Sequence, residues 1–242
     1  MTGTGRIAAI RSTLLAGLLA GSATALLHGG VLALASGPPA GDSRPLVLVA
    51  LATLAAAIEA ACAASARADH AVAPAPQARA YARLSGLSAL ACLVLTLAPL
   101  AAWPRLSTPL TAAPGWVLLA CVLTAVGVAL RGLAIHRLGA RFSSRNAIDA
   151  DAALETQGVY RLLAHPSEVG LLALAAGAAL LAGGPLGLVV LPALYALTLA
   201  RVRIEEAALR DRHGCIYKLY RAARWDPFPS GPWGKRGQRR AE

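Results

Sequence analysis

Charge is what this chain has least of. Only 14% of its 242 residues are Asp, Glu, Lys or Arg, where a soluble domain carries about 25%. With 57% of the residues hydrophobic, that shortage argues against a water-soluble fold and makes lipid the expected solvent. Aromatic residues are scarce as well, at 5%, and the apolar mass is Ala, Leu and Val. A membrane barrel is therefore not expected, and helices are the spanning element. Of four cysteines, Cys62, Cys92 and Cys121 lie inside apolar runs and Cys215 stands alone in a polar segment, so neither a disulfide framework nor a metal cluster is indicated. Internal repeats and the glycine pattern of a dinucleotide fold are both missing.

What is present is a series of apolar runs. A helix needs about 20 apolar residues to cross the hydrocarbon core, and Leu14 to Ala35, Leu46 to Ala66, Leu84 to Ala102 and Trp116 to Leu138 all qualify. The first run follows Arg6 and Arg11 in the manner of a signal peptide, but it is too long for a typical signal core and reads as a retained helix. A further apolar region, Val169 to Ala200, is interrupted by Gly183-Gly184-Pro185, a turn signal that makes it a helical hairpin with two short arms. The expected fold is an all-α, polytopic membrane bundle of about six passes. It divides into N-terminal helices (1–110), a core with a loop and the hairpin (111–229), and a basic tail (230–242).

The net charge of +11 does not form a stripe that would suit nucleic acid. Its basic residues fall between and after the apolar runs, so anionic lipid is the expected partner. Arg6 and Arg11, then Arg67, Arg79 and Arg83, then Arg137, Arg141, Arg145 and Arg161, then the basic residues from Arg201 onward would all share one side, whereas Arg44 and Arg105 would take the other. By the positive-inside rule the first side is cytoplasmic and holds both termini. Two charges fall within the runs. Arg131 lies inside the fourth, and Glu59, near the end of the second, is either functional or simply reaches the interface.

Two segments carry polar residues that an anchor does not need, and the hairpin brings them together. Before it stand Gly158, Tyr160 and then His165-Pro166-Ser167-Glu168-Val169-Gly170. Pro166 suits the first turn of a helix, whose free N–H groups can bind an anion or hydroxyl. After it stand Arg201, Glu205 and Glu206, then Gly214, Tyr217 and Tyr220. Arg201 and Glu205 are spaced to share one helix face. Taken singly, each piece has a plain reading as a helix cap or an interfacial ion pair.

As an ordered set these residues resemble the isoprenylcysteine carboxyl methyltransferase family, with the related phospholipid methyltransferases as a wider group. That pattern runs Gly-x-Tyr, His-Pro-x-Tyr-x-Gly, an apolar hairpin, Arg-x-x-x-Glu-Glu and Gly-x-x-Tyr-x-x-Tyr. The resemblance covers about Gly139 to Pro229. It implies a methyltransferase using S-adenosyl-L-methionine and no metal. Cofactor contacts fall on Ala152, Ala153, Leu154, Glu155, Tyr160, His165, Pro166, Ser167, Glu168 and Glu205, and Arg201 holds the acceptor carboxylate. Arg201 and Glu205 are the expected catalytic pair. This chain departs from the pattern at Glu168, where the family has Tyr, at Ala164, where Arg is common, and at His213, where Phe is usual.

The leading expectation is thus carboxyl O-methylation of a lipophilic, isoprenoid or prenylcysteine-like acid, at the cytoplasmic face. The alternatives are N-methylation of a phospholipid amine, an NADPH-dependent sterol-type membrane reductase, and a non-catalytic membrane module. In any of these Lys235, Arg236, Arg239 and Arg240 read as lipid anchors or as a disordered tail rather than as catalytic residues.

Overall fold

The computed structural model describes residues 3–35, 42–66, 76–102, 113–138 and 153–229. Within them the chain is helical: α1 (Gly3–Leu34), α2 (Arg44–Ala66), α3 (Pro76–Ala101), α4 (Pro114–Leu138), a short 3-10 turn (Gly158–Arg161), α5 (Pro166–Ala182) and α6 (Leu186–Ala222). Among the described residues the one isolated β-bridge joins Leu163 to Trp225. Five of the helices are long and apolar enough to cross a membrane, and α5 is a shorter apolar helix. The protein is a polytopic helical membrane protein, as its composition requires.

Proline and glycine set the ends of these elements. Pro76, Pro114 and Pro166 each open a helix, a position where the missing N–H has no partner to lose. The hairpin turn is as expected: Gly183 caps α5 in the left-handed conformation (φ 63°), with its N–H bonded to Ala179 O, and Pro185 precedes α6.

The second arm of that hairpin does not stop near Ala200. It continues as one 37-residue helix with a break at Gly214 (φ 53°, ψ −123°). At 1.5 Å per residue its length is roughly 55 Å, well beyond a hydrocarbon core of about 30 Å. Arg201, Glu205 and Glu206 are therefore held on a rigid rod continuous with a membrane helix. Beyond Gly214, Tyr217 and Tyr220 turn inward and are buried.

Lipid offers no hydrophobic force to press helices together, so close packing of small residues has to do it. The α4–α5 seam is built this way. A Cβ on Gly127 would lie 2.7 Å from Gly170 O, and one on Gly177 would lie 2.7 Å from Ala120 O and collide with Thr124 Oγ1. On the other side of the bundle Gly17 and Gly21 let α1 settle against Ala57 of α2. Leu32, Leu48, Leu100, Ala120 and Leu181 form one buried cluster, and Leu95, Leu171, Ala175, Val190 and Leu194 form a second.

Candidate active site

The 3-10 turn, the start of α5 and the outer part of α6 meet at one end of the bundle. Tyr220 Oη donates to Tyr160 O at 2.8 Å. Trp225 N donates to Leu162 O and Ala164 N donates to Trp225 O, so the chain after α6 folds back along the segment that precedes α5. Phe228 then stacks on Tyr195 (centroids 5.9 Å apart) and sits edge-on to His165 (6.0 Å), while Tyr195 Oη donates to Pro227 O.

His165, the residue before α5, is buried between the acids of α6. Its Nδ1 lies 3.7 Å from Glu205 Oε2 and its Nε2 lies 3.5 Å from Glu206 Oε1, which is ion-pair spacing rather than hydrogen bonding. Burial alone would push the imidazole down. The carboxylate of Glu206, followed by Glu205 and Asp226, outweighs it and holds His165 above the ordinary value of 6.5. Burial and then Glu205 push the Tyr160 hydroxyl well above its usual range, so it stays neutral.

Behind His165 lies a denser ion-pair network. Glu206 pairs with Arg210 and, at 2.7 Å, with Arg221, whose Nε also lies 2.7 Å from Asp226 Oδ2. His165, Glu206 and Asp226 could each offer an atom to one cation. The Arg221 and Arg210 guanidiniums together match both carboxylates, so their charge is balanced by side chains of the same helix.

Arg201 faces the other way. Its Nη2 lies 2.7 Å from Glu168 Oε1 and 3.3 Å from the Tyr81 hydroxyl, and its guanidinium sits 5.1 Å from the centroid of the Tyr81 ring. The i, i+4 pairing of Arg201 with Glu205 that their spacing allows is not what forms. Arg201 reaches across to α5, and Glu205 turns to His165. Both members of the Arg201–Glu168 pair are buried, and Arg201 Nε and Glu168 Oε2 have no hydrogen-bond partner.

Arg201 and Tyr81 form part of the wall of a cavity of ≈ 600 Å³ running between the helices, with Leu, Ala and Ser from α2, α3 and α5 as the rest of much of its lining. Its other charged lining is Arg131, ion-paired with Glu59 and donating to Ser167 O at 3.1 Å. At the far end His28 bonds Thr24 O through Nδ1 and Thr96 Oγ1 through Nε2. Thr24 O can only accept, so Nδ1 carries the proton and Nε2 accepts from the threonine. The helical rise between Tyr81 and Thr96 puts roughly 20 Å between the two ends.

Of the residues singled out from the sequence, the structure brings Tyr160, His165, Pro166, Ser167, Glu168, Arg201 and Glu205 to one place. Ala153 is exposed and Leu154 and Glu155 are half-buried just before the 3-10 turn, with Glu155 accepting from Gln157 N. Ala152 lies outside the described residues, as do Arg141, Arg145 and the basic tail. Sequence reasoning missed Tyr81, Arg131, Arg221, Asp226 and Phe228. Arg131 carried a signal, an uncompensated cation inside an apolar run. Tyr81 carried none, because it reaches Arg201 only through the packing of α3 on α6.

Three carboxylates and a half-exposed mouth suit a cationic, hydroxyl-bearing cofactor. The buried Glu168 Oε2 in particular is an acceptor with nothing to accept from. No curated protein and no solved structure matches the chain. Residues 118–211, from α4 to the middle of α6, match the model of the isoprenylcysteine carboxyl methyltransferase (ICMT) family, a likeness that supports a membrane methyltransferase in general terms.

Proposed function

We propose that the protein transfers a methyl group from S-adenosyl-L-methionine to the polar head of a lipophilic acceptor whose tail occupies the intramembrane cavity. One observation carries this reading: Arg201 belongs both to the apolar cavity wall and, through Glu168 and its neighbour Glu205, to the polar cluster around His165. When bound, the cofactor supplies an electrophilic methyl on a sulfonium. Glu205, His165, Tyr160 and the segment from Ala153 to Glu155 are the residues placed to hold it. By the positive-inside rule the basic residues near this end favour the cytoplasmic face.

Methyl transfer is an in-line displacement, and the chain's contribution is alignment. Holding donor and acceptor in register can supply roughly 7–11 kcal/mol of the barrier. A carboxylate acceptor is ionised at neutral pH and needs no base, so a guanidinium that steers it suffices. Carboxyl O-methylation of an isoprenoid or prenylcysteine-like acid is accordingly the first reading. Methylation of a lipid amine is the second, favoured by one observation: the free Glu168 Oε2 stands beside Arg201 and could take the proton that an amine has to lose.

Arg201→Ala should lower turnover at least 100-fold, about 2.7 kcal/mol of transition-state stabilisation, while S-adenosyl-L-methionine binding measured by calorimetry changes little. Normal methyl transfer by that variant would remove Arg201 from the acceptor's path. Alkali-labile label in the product indicates an ester and the first reading; stable label indicates the amine.

A further inference from the structure

Glu168 stands where the family pattern has an aromatic residue, and its position in the fold gives that change a consequence. The buried guanidinium of Arg201 is neutralised from within the chain, by Glu168 Oε1 at 2.7 Å. The contact is made at one nitrogen. Nη2 serves both Glu168 and the Tyr81 hydroxyl, and Nε is left buried without a partner. A carboxylate pairs best with Arg through two parallel bonds, so Glu168 fills the charge requirement of Arg201 but not its geometry. Arg201 and Tyr81 border the cavity, so a head group arriving with its tail in the cavity meets the guanidinium that Glu168 holds.

We propose that Glu168 is an internal competitor for the acceptor subsite, a specificity-determining carboxylate that an anionic head group must displace from Arg201 before it can bind. This rests on the reading of Arg201 as the residue that receives the acceptor. Two carboxylates on one buried guanidinium repel each other, and among the described residues Arg201 is the one cation ion-paired with Glu168. Its neighbours are Tyr81 from α3, Glu205 from α6, Tyr160 from the 3-10 turn, and Arg131 from α4, which is spent on Glu59 and Ser167. An uncharged head group leaves the Arg201–Glu168 pair intact and meets no such competition. Charge on the acceptor is therefore read by subtraction, through what it costs to move Glu168.

The test is binding, without turnover, by the full-length chain in nanodiscs, with dodecanoate and its methyl ester as probes. Glu168→Gln keeps the shape and removes the charge. Dodecanoate should bind this variant about tenfold more tightly than wild type, a change of about 1.4 kcal/mol, while affinity for the ester is unchanged. Comparing variant with wild type cancels the partition of each probe into lipid. Equal dodecanoate affinity in the two proteins would overturn the proposal, and so would an equal gain for the ester. If Glu168→Gln does not fold, Glu168→Tyr, which restores the family's residue, is held to the same two outcomes. Since no methyl is transferred, these results stand apart from whether the protein methylates at all: failure here with normal Arg201-dependent methylation sinks only the competitor role.

Discussion

His165 concentrates the electrostatics of the site in one side chain. Its ring is buried, yet it lies within 3.7 Å of two carboxylates, Glu205 and Glu206, and these hold its proton more tightly than water does. The folded-state value lies above the unfolded 6.5, so the folded protein binds the proton more strongly than the unfolded chain. This stabilisation is complete below pH 6.5 and is lost as pH rises through the folded value. Thermal unfolding in detergent should therefore show a midpoint that falls on going from about pH 6 towards about pH 9, and His165→Gln should flatten that slope. A wild-type slope that the variant retains would place the titration elsewhere. Glu168 and Arg201 act at the same scale with the opposite lesson, because their i, i+33 pairing is invisible to any local rule. The sequence spacing favours Arg201 with Glu205, and only the approach of α5 to α6 replaces that local pair with a distant one.

At the level of elements, the site is a product of helix packing. α5 is placed by the glycines that let it touch α4, and α5 carries Glu168 on its first turn. Gly177→Val drives a branched side chain into Ala120 O and Thr124, so α5 has to shift. The expected cost is about 1–3 kcal/mol, read as a lower unfolding midpoint, together with loss of methyl transfer. Gly86→Ala, where nothing lies within 4 Å of the added Cβ, should leave methyl transfer unchanged and should not lower the midpoint, since Ala favours the helix over Gly. A tolerant Gly177 would mean that the seam does not fix α5. Most of these elements were legible in the sequence, since four apolar runs, a Gly-Gly-Pro turn and Pro166 as a helix start each follow from one local signal. Two features were not. The length of α6 was hidden because the apolar run ends near Ala200 and the charged outer half carries no apolar pattern to mark how far the helix continues. The return of Trp225 to Phe228 onto Leu163 and Tyr195 was hidden because it depends on contacts far apart in sequence.

Over the whole molecule, the N-terminal helices and the segment that matches the family line one cavity. α1, α2 and α3 lie outside the family match, yet they supply His28, Glu59, Tyr81 and Thr96 to the cavity. These helices matched no motif, so sequence reading could not assign them a role. Their contribution comes from shape, a slot of roughly 20 Å that opens onto Arg201. The lipid tail proposed for the acceptor would lie in this slot, beside the polar cluster at its end.

The most direct measurement of that claim is incubation of the reconstituted full-length chain with methyl-labelled S-adenosyl-L-methionine and a membrane lipid extract, followed by phase separation and identification of the product. The account predicts labelled, organic-soluble product that depends on Arg201 and Glu205. Label confined to the aqueous phase, or no binding of the methyl donor to the folded protein, would contradict it.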